Sequence, residues 1–211
     1  TPDDRIIGTL GIYMTNKFGN YADGTPRNYS RLLTDAVMTN VVNDIRAQYE
    51  PQWTRRGMWD KSYYEARVPE VPTMLLELLS HHNFADMKYG LDPAFRFAVS
   101  RAIYKGILQF LANRDGREFE IQPLPVNSFA ITPVSGTRFR LQWKATPDTL
   151  TKGGAMPCRY IVEQRVKGDA FRRVAIVENT YYEVSVQEGT MSSYRIIAEN
   201  AGGRSFPSEV L

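Results

Sequence analysis

Glu77 interrupts an apolar run, Met74-Leu75-Leu76-Glu77-Leu78-Leu79, that reads as a buried strand. A carboxylate inside such a strand is costly unless a cation or hydrogen bonds compensate it. Acids kept in these places are often catalytic or bound to a cation. Ser80, His81, His82 and Asn83 follow directly. The two histidines are the chain's only imidazoles and invite a metal reading. On an extended backbone, adjacent side chains point to opposite faces, so loop histidines with ordinary hydrogen bonds are expected instead. Asn83 reads as a turn cap. Arg67, ahead of the strand, could grip a peptide carboxylate through its guanidinium fork; equally, it could stay solvated or pair with Glu77. Trp53, Trp59, Tyr63 and Tyr64 make an aromatic-rich approach to the same segment. They could line a glycan groove, although core packing is the expected role for most of them.

Reactive side chains are sparse elsewhere. Thr1 could serve as an N-terminal nucleophile with its own amine as base, but nothing else in the sequence supports such an enzyme. A fragment boundary is the simpler expectation, since the chain opens with neither Met nor a signal peptide. The single cysteine, Cys158, excludes an internal disulfide and any cysteine-based zinc cluster. It is expected as a small buried or half-buried strand residue. The net charge of +3 comes from basic residues scattered along the chain, so no nucleic-acid partner is expected. No apolar run nears the roughly 20 residues that a membrane span requires.

The elements that must position Glu77 follow a helical grammar over residues 30–112. Ser30 is expected to cap a helix with the stripe Leu33, Val37, Val41, Ile45 and Tyr49, ended by Pro51. The strand of residues 71–79 comes next. Asp92-Pro93 then reads as a cap and first-turn proline for a helix reaching about Leu111. An earlier strand is expected over residues 6–13. Helix, buried strand, helix is the pattern of an α/β domain, assigned here to residues 1–118.

After Gly116 the period changes to two. Alternating runs appear at 139–143, 160–166, 173–177, 182–186 and 194–198, punctuated by glycines. These predict an all-β immunoglobulin-like sandwich over residues 119–211. The segment resembles a fibronectin type III domain. The resemblance rests on Pro125, on Trp143 in the core-tryptophan position, on Tyr160, on Tyr194 after Gly189-Thr190 in the place of the tyrosine corner, and on the close Ala198-Glu199-Asn200 through Ser205-Phe206-Pro207-Ser208. It implies an extended loop around residues 147–157 and a spacer or packing role, with no chemistry of its own.

The first half resembles the close of N-acetylmuramoyl-L-alanine amidases of the amidase-3 type, P-x-v-L-v-E-x-g-F-l-s-N-x-x-D-x-x-x-L. Val71-Pro72-Thr73-Met74-Leu75-Leu76-Glu77, Ser80, Asn83, Asp86 and Leu91 carry the match. Leu79 departs from the family's phenylalanine. The resemblance implies that Glu77 is the general acid/base beside a zinc-bound water, cleaving the amide between muramic acid and L-alanine, with Arg67 near the cleft. It implies zinc as cofactor, with His, Glu and His ligands that lie ahead of Thr1 and outside this chain. It further implies an extracytoplasmic protein acting on peptidoglycan or another cell-surface glycan, partnered by the missing N-terminal part of its own domain. Alternatives are a non-catalytic glycan-binding or scaffold module, or a polysaccharide-degrading protein of the kind labelled xanthan lyase. The Tyr/His/Arg site expected of a lyase is absent from the sequence.

Overall fold

A computed structural model describes residues 7–16 and 19–211. The chain divides between Phe119 and Glu120 into two compact units. Thr1 and Ile6 lie outside the described residues.

The first unit is a small mixed sheet with helices. Strand β1 (Thr9–Tyr13) leads through α1 (Asn28–Gln48) to β2 (Arg55–Asp60), which pairs with β1 in parallel. A helical crossover is what a parallel pair requires. A short helix α2 (Tyr64–Arg67) precedes β3 (Leu75–Glu77), which runs antiparallel to β1 on its other side, giving the order β2-β1-β3. Helices α3 (Phe84–Gly90) and α4 (Pro93–Asp115) complete the unit.

Two glycines let the helices approach. A Cβ at Gly11 of β1 would stand 2.5 Å from Thr34 Cγ2 of α1, and one at Gly106 of α4 would stand 2.5 Å from Val37 Cα of α1. The core between the helices holds Val37, Val41, Ile45, Phe95, Val99 and Trp53. A buried ion pair, Lys105 Nζ to Asp44 at 2.5 Å, links α4 to α1. Removing one partner of such a pair would strand the other charge in the interior.

Several local expectations change. Ser30 does not cap α1; the helix starts two residues earlier, at Asn28. Its buried hydroxyl instead meets Tyr21 Oη at 2.6 Å and accepts from Thr73 N at 3.0 Å, tying α1 to the segment before β3. Arg56 and Gly57 belong to strand β2, whose register shift leaves Arg56 as the extra residue. Alternation is absent there, and Gly57 adopts φ 144°, so the period-two signal was lost. The expected buried strand 71–79 is only three residues long and lies at a sheet edge, with Leu75 and Leu76 half-buried and Glu77 exposed. Met74, Leu78 and Leu79 reach the helical core from irregular backbone on either side. Asp92 caps α4 by accepting from Ala94 N, and Gly116 ends it in the left-handed conformation.

The second unit is a β-sandwich. One sheet holds β4 (Asn127–Ser135), β5 (Arg138–Lys144) and β8 (Tyr181–Ser185) in the order β4-β5-β8. The other holds β6 (Arg159–Val166), β7 (Arg172–Val177), β9 (Ser192–Asn200) and β10 (Gly203–Arg204) in the order β10-β9-β6-β7. All pairings are antiparallel. Their inner faces interleave in a core of Phe129, Leu141, Trp143, Tyr160, Val162 and Ile196. Trp143 packs edge-on against Tyr160, with ring centroids 5.4 Å apart. Pro133 falls within β4, an edge strand, where its missing N–H costs no ladder bond.

The serine-rich close has a physical role. Ser205 and Ser208 are buried, and their hydroxyls accept from the N–H groups of Ala198 and Ile196. The same serines donate their own N–H groups to the carbonyls of Ala198 and Ile196. The chain end therefore satisfies the β9 edge beyond the two-residue β10. The loop before β6 is extended as expected and is organised by buried Asp148, which accepts from Leu150 N and Thr151 Oγ1. Tyr194 is buried, but its hydroxyl accepts from Gln164 Nε2 at 3.0 Å across the β6–β9 ladder. The ladder places that side chain directly opposite, so the bond is cross-strand and does not form a tyrosine corner.

Candidate functional site

Glu77 is the last residue of β3, opposite Leu10 of the central strand. Its side chain is 44% exposed and accepts from Arg56 Nη1 at 3.4 Å. Arg56 is the extra residue of β2, so this ion pair runs from one edge strand to the other, past β1. Glu77 is thus a solvated edge carboxylate with a cationic neighbour, and no longer a charge trapped in an apolar strand. The reason is topological: β3 is an edge and ends at this residue, so water reaches the carboxylate.

Glu77 opens onto a cleft of about 560 Å³ lined by Arg56, Leu76, Leu78, Leu79, Ser80 and His81. His81 and His82 occupy a turn, not an extended segment, and their exposed rings lie 4.0 Å apart between centroids. The expectation of opposite faces fails because the turn swings both side chains to one side. Only His81 lines the cleft. The cleft therefore gathers a carboxylate, a guanidinium and an imidazole over an apolar floor.

Asn83 caps α3, its Oδ1 accepting from Ala85 N and Asp86 N. Asp86 is buried and accepts from Ser80 N at 2.8 Å and Gly8 N at 3.1 Å. This carboxylate pins the turn after β3 to the start of β1, and so fixes where His81 stands. The signal of Asp86 in the sequence is an acid at the third residue of a helix capped by Asn83.

Arg67 ends α2 and is exposed. It does not line the Glu77 cleft; Arg56 takes the place beside the acid. Among the aromatics, Trp53 is buried and donates from Nε1 to Thr9 Oγ1 at 2.9 Å. Trp59, Tyr63 and Tyr64 are exposed, against the expected core role. They cluster where β2 runs out and α2 begins, beyond the sheet's cover. Cys158 is exposed, because it sits in the bend before β6 and not within the strand.

Among the described residues, no group of three or more His, Cys, Asp or Glu side chains could hold a metal ion. The residues present do not fit a zinc centre by themselves. No helix among the described residues is long and apolar enough to cross a membrane.

No family model matches the chain. Solved structures similar to part of it contain fibronectin type III-like domains. The twitchin kinase region from C. elegans is 28% identical, over 43% of this chain and 16% of that one, with a TM-score of 0.38. Titin domains are 31% identical, over 42% of this chain and 30% of theirs, with a TM-score of 0.36. The human fibronectin type III domain containing protein 3 supplies a domain 28% identical, over 44% of this chain and 86% of its own, at a TM-score of 0.36. This chain therefore spans less than a third of the twitchin and titin chains it matches. The sandwich itself rests on the strand pairing within the second unit.

Proposed function

We propose that the Glu77 cleft is the proton-transfer part of an amide-hydrolysing site of the amidase-3 type, acting on the bond between muramic acid and L-alanine of peptidoglycan outside the cytoplasm. The observation that carries this reading is the placement of Glu77: a strand-end carboxylate, open to solvent, facing a cleft large enough for part of a glycan-linked peptide. A carboxylate there can accept a proton from an attacking water and return it to the leaving amine. Arg56 donates to the carboxylate at 3.4 Å and restrains its rotamer. His81 offers a second group able to carry a proton at the rim. The zinc of that family finds no ligand set among the described residues, so no step is assigned to a metal here.

A second reading, a glycan-binding module without catalysis, is supported by exposed Trp59, Tyr63 and Tyr64. Muropeptide digestion separates the two. The full-length polypeptide containing this chain is compared with its Glu77→Gln variant, in the presence of zinc. The hydrolytic reading expects release of peptide stems by the wild type and a loss of about a hundredfold or more in the variant. Equal release by both sinks the role of Glu77. Retention on insoluble peptidoglycan with no release by either protein favours the binding module.

A further inference from the structure

The outer face of the four-stranded sheet carries a pattern that the Glu77 cleft does not use. Alternation places Tyr160, Val162, Tyr194, Ile196 and Ala198 in the sandwich core. Their odd-numbered neighbours on β6 and β9 therefore share the opposite, outer face. The register aligns these into rows across the strands. One row joins Arg159 of β6, Glu199 of β9 and Arg204 of β10. The next joins Ile176 of β7, Ile161 of β6 and Ile197 of β9. The third joins Arg173, Glu163 and Arg195. Arg165 follows on β6, its guanidinium carbon 4.8 Å from the centre of the Phe171 ring, with that of Arg195 4.1 Å from the same ring.

The face is thus an isoleucine row between two arginine-bearing rows. Five arginines, at 159, 165, 173, 195 and 204, stand against two glutamates, at 163 and 199. The arginines are also pre-arranged. Arg159 and Arg204 each donate from Nε to Glu199, at 2.6 and 2.9 Å, and Arg195 donates from Nε to Glu163 at 2.6 Å. In all three the terminal η nitrogens donate to no acceptor among the described residues. Each guanidinium is therefore fixed by one edge and offers the other, which lowers the entropy lost when it captures a second carboxylate.

We propose that this face docks an extended acidic peptide segment with alternating acidic and apolar positions, Glu-x-Leu-x-Glu in pattern. Rows two residues apart along a strand are about 6.6–7 Å apart, the same as residues i and i+2 of an extended peptide. A leucine over the isoleucine row sets its flanking glutamates over the arginine rows. Ile176, 46% exposed, and the half-buried Ile197 supply the apolar contact, while Ile161 between them is only 2% exposed. A polysaccharide fits less well, because an isoleucine row offers sugar hydroxyls no hydrogen bond. A nucleic acid fits less well, because the Phe171 ring on this face already packs against Arg165 and Arg195.

The test uses the 211-residue chain and a fluorescent peptide of Glu-Ser-Leu-Ser repeats, read by anisotropy. Saturable binding that weakens with salt is expected. The double variant Arg173→Glu, Arg195→Glu should weaken it about tenfold or more, and Ile176→Ser several-fold. Arg138→Glu with Arg140→Glu, on the other sheet, should leave it unchanged. Circular dichroism confirms that each variant is folded, and the milder Arg173→Gln supplies an independent reading of the same position. The proposal is overturned if the peptide does not bind, or if a peptide of equal composition with its glutamates and leucines in separate blocks binds equally well. Tighter capture of polygalacturonate or of a single-stranded oligonucleotide overturns it too.

Discussion

Glu77 in the first unit and Glu199 in the second are both strand glutamates beside arginine, yet their surroundings are opposite. Glu77 ends a three-residue edge strand, is 44% exposed and has one arginine at 3.4 Å. Glu199 lies within a nine-residue strand, is 11% exposed and is held by Arg204 and Arg159 at 2.9 and 2.6 Å. The hydrogen bonds from Arg204, then Arg159, hold its carboxyl below the usual glutamate value. The buried, compensated carboxylate that the sequence suggested for Glu77 therefore exists, but in the other unit. A carboxylate locked between two arginines holds a sheet edge together; one with a single distant partner stays open to water.

Mutations in the two units can break or sharpen this contrast. The largest effect is expected from Trp143→Ala, which empties the sandwich core and should cost the second unit about 3–5 kcal/mol in urea unfolding. Trp143→Phe should cost much less, because the buried Nε1 of Trp143 has no hydrogen-bond partner to lose. In the first unit, Gly106→Ala forces a methyl against the α1 backbone and should cost about 1–3 kcal/mol, seen as an earlier thermal transition of that unit.

Glu199→Gln should come next, at about 1 kcal/mol, since its arginines are half in water. Its effect should depend on pH. Folding lowers the pKa of Glu199, so its stabilisation is fully present above the ordinary value of 4.5 and is lost as pH falls through the lower folded value. Wild type and variant should therefore differ at neutral pH and converge in acid; a constant gap down to low pH would show that Glu199 acts only through packing. Glu77→Gln should change stability least, by about 0.5 kcal/mol or less, whatever it does to turnover. A large loss of stability there would make Glu77 a structural residue like Glu199 and end the contrast.

The helices α1 and α4 were legible because their apolar stripes and, for α4, the Asp92-Pro93 start and Gly116 stop are local signals. The alternating strands of the sandwich were legible for the same reason. What escaped was non-local. Strand β2 lacks alternation, because Arg56 is an extra residue and Gly57 has an unusual backbone, and only parallel pairing with β1 makes it a strand. Helix α3 is seven residues long, too short for a periodic signal, and is set by Asn83 and by the contacts of Asp86. The ion-pair partner of Glu77 was not legible: Arg67 was the nearer candidate in sequence, while Arg56 reaches Glu77 through the sheet order.

By itself the sequence determined the two-part plan, the helical and alternating periods, the core tryptophan of the sandwich and the singling out of Glu77, since these depend on residue type and short-range spacing. Only the tertiary structure decided which carboxylate is buried and which is open. Exposure is set by strand order and by where an edge ends, and neither is encoded within the strand. The same holds for the five arginines of the outer sheet face, drawn from four strands: they are scattered along the chain and become a surface only when the register aligns them.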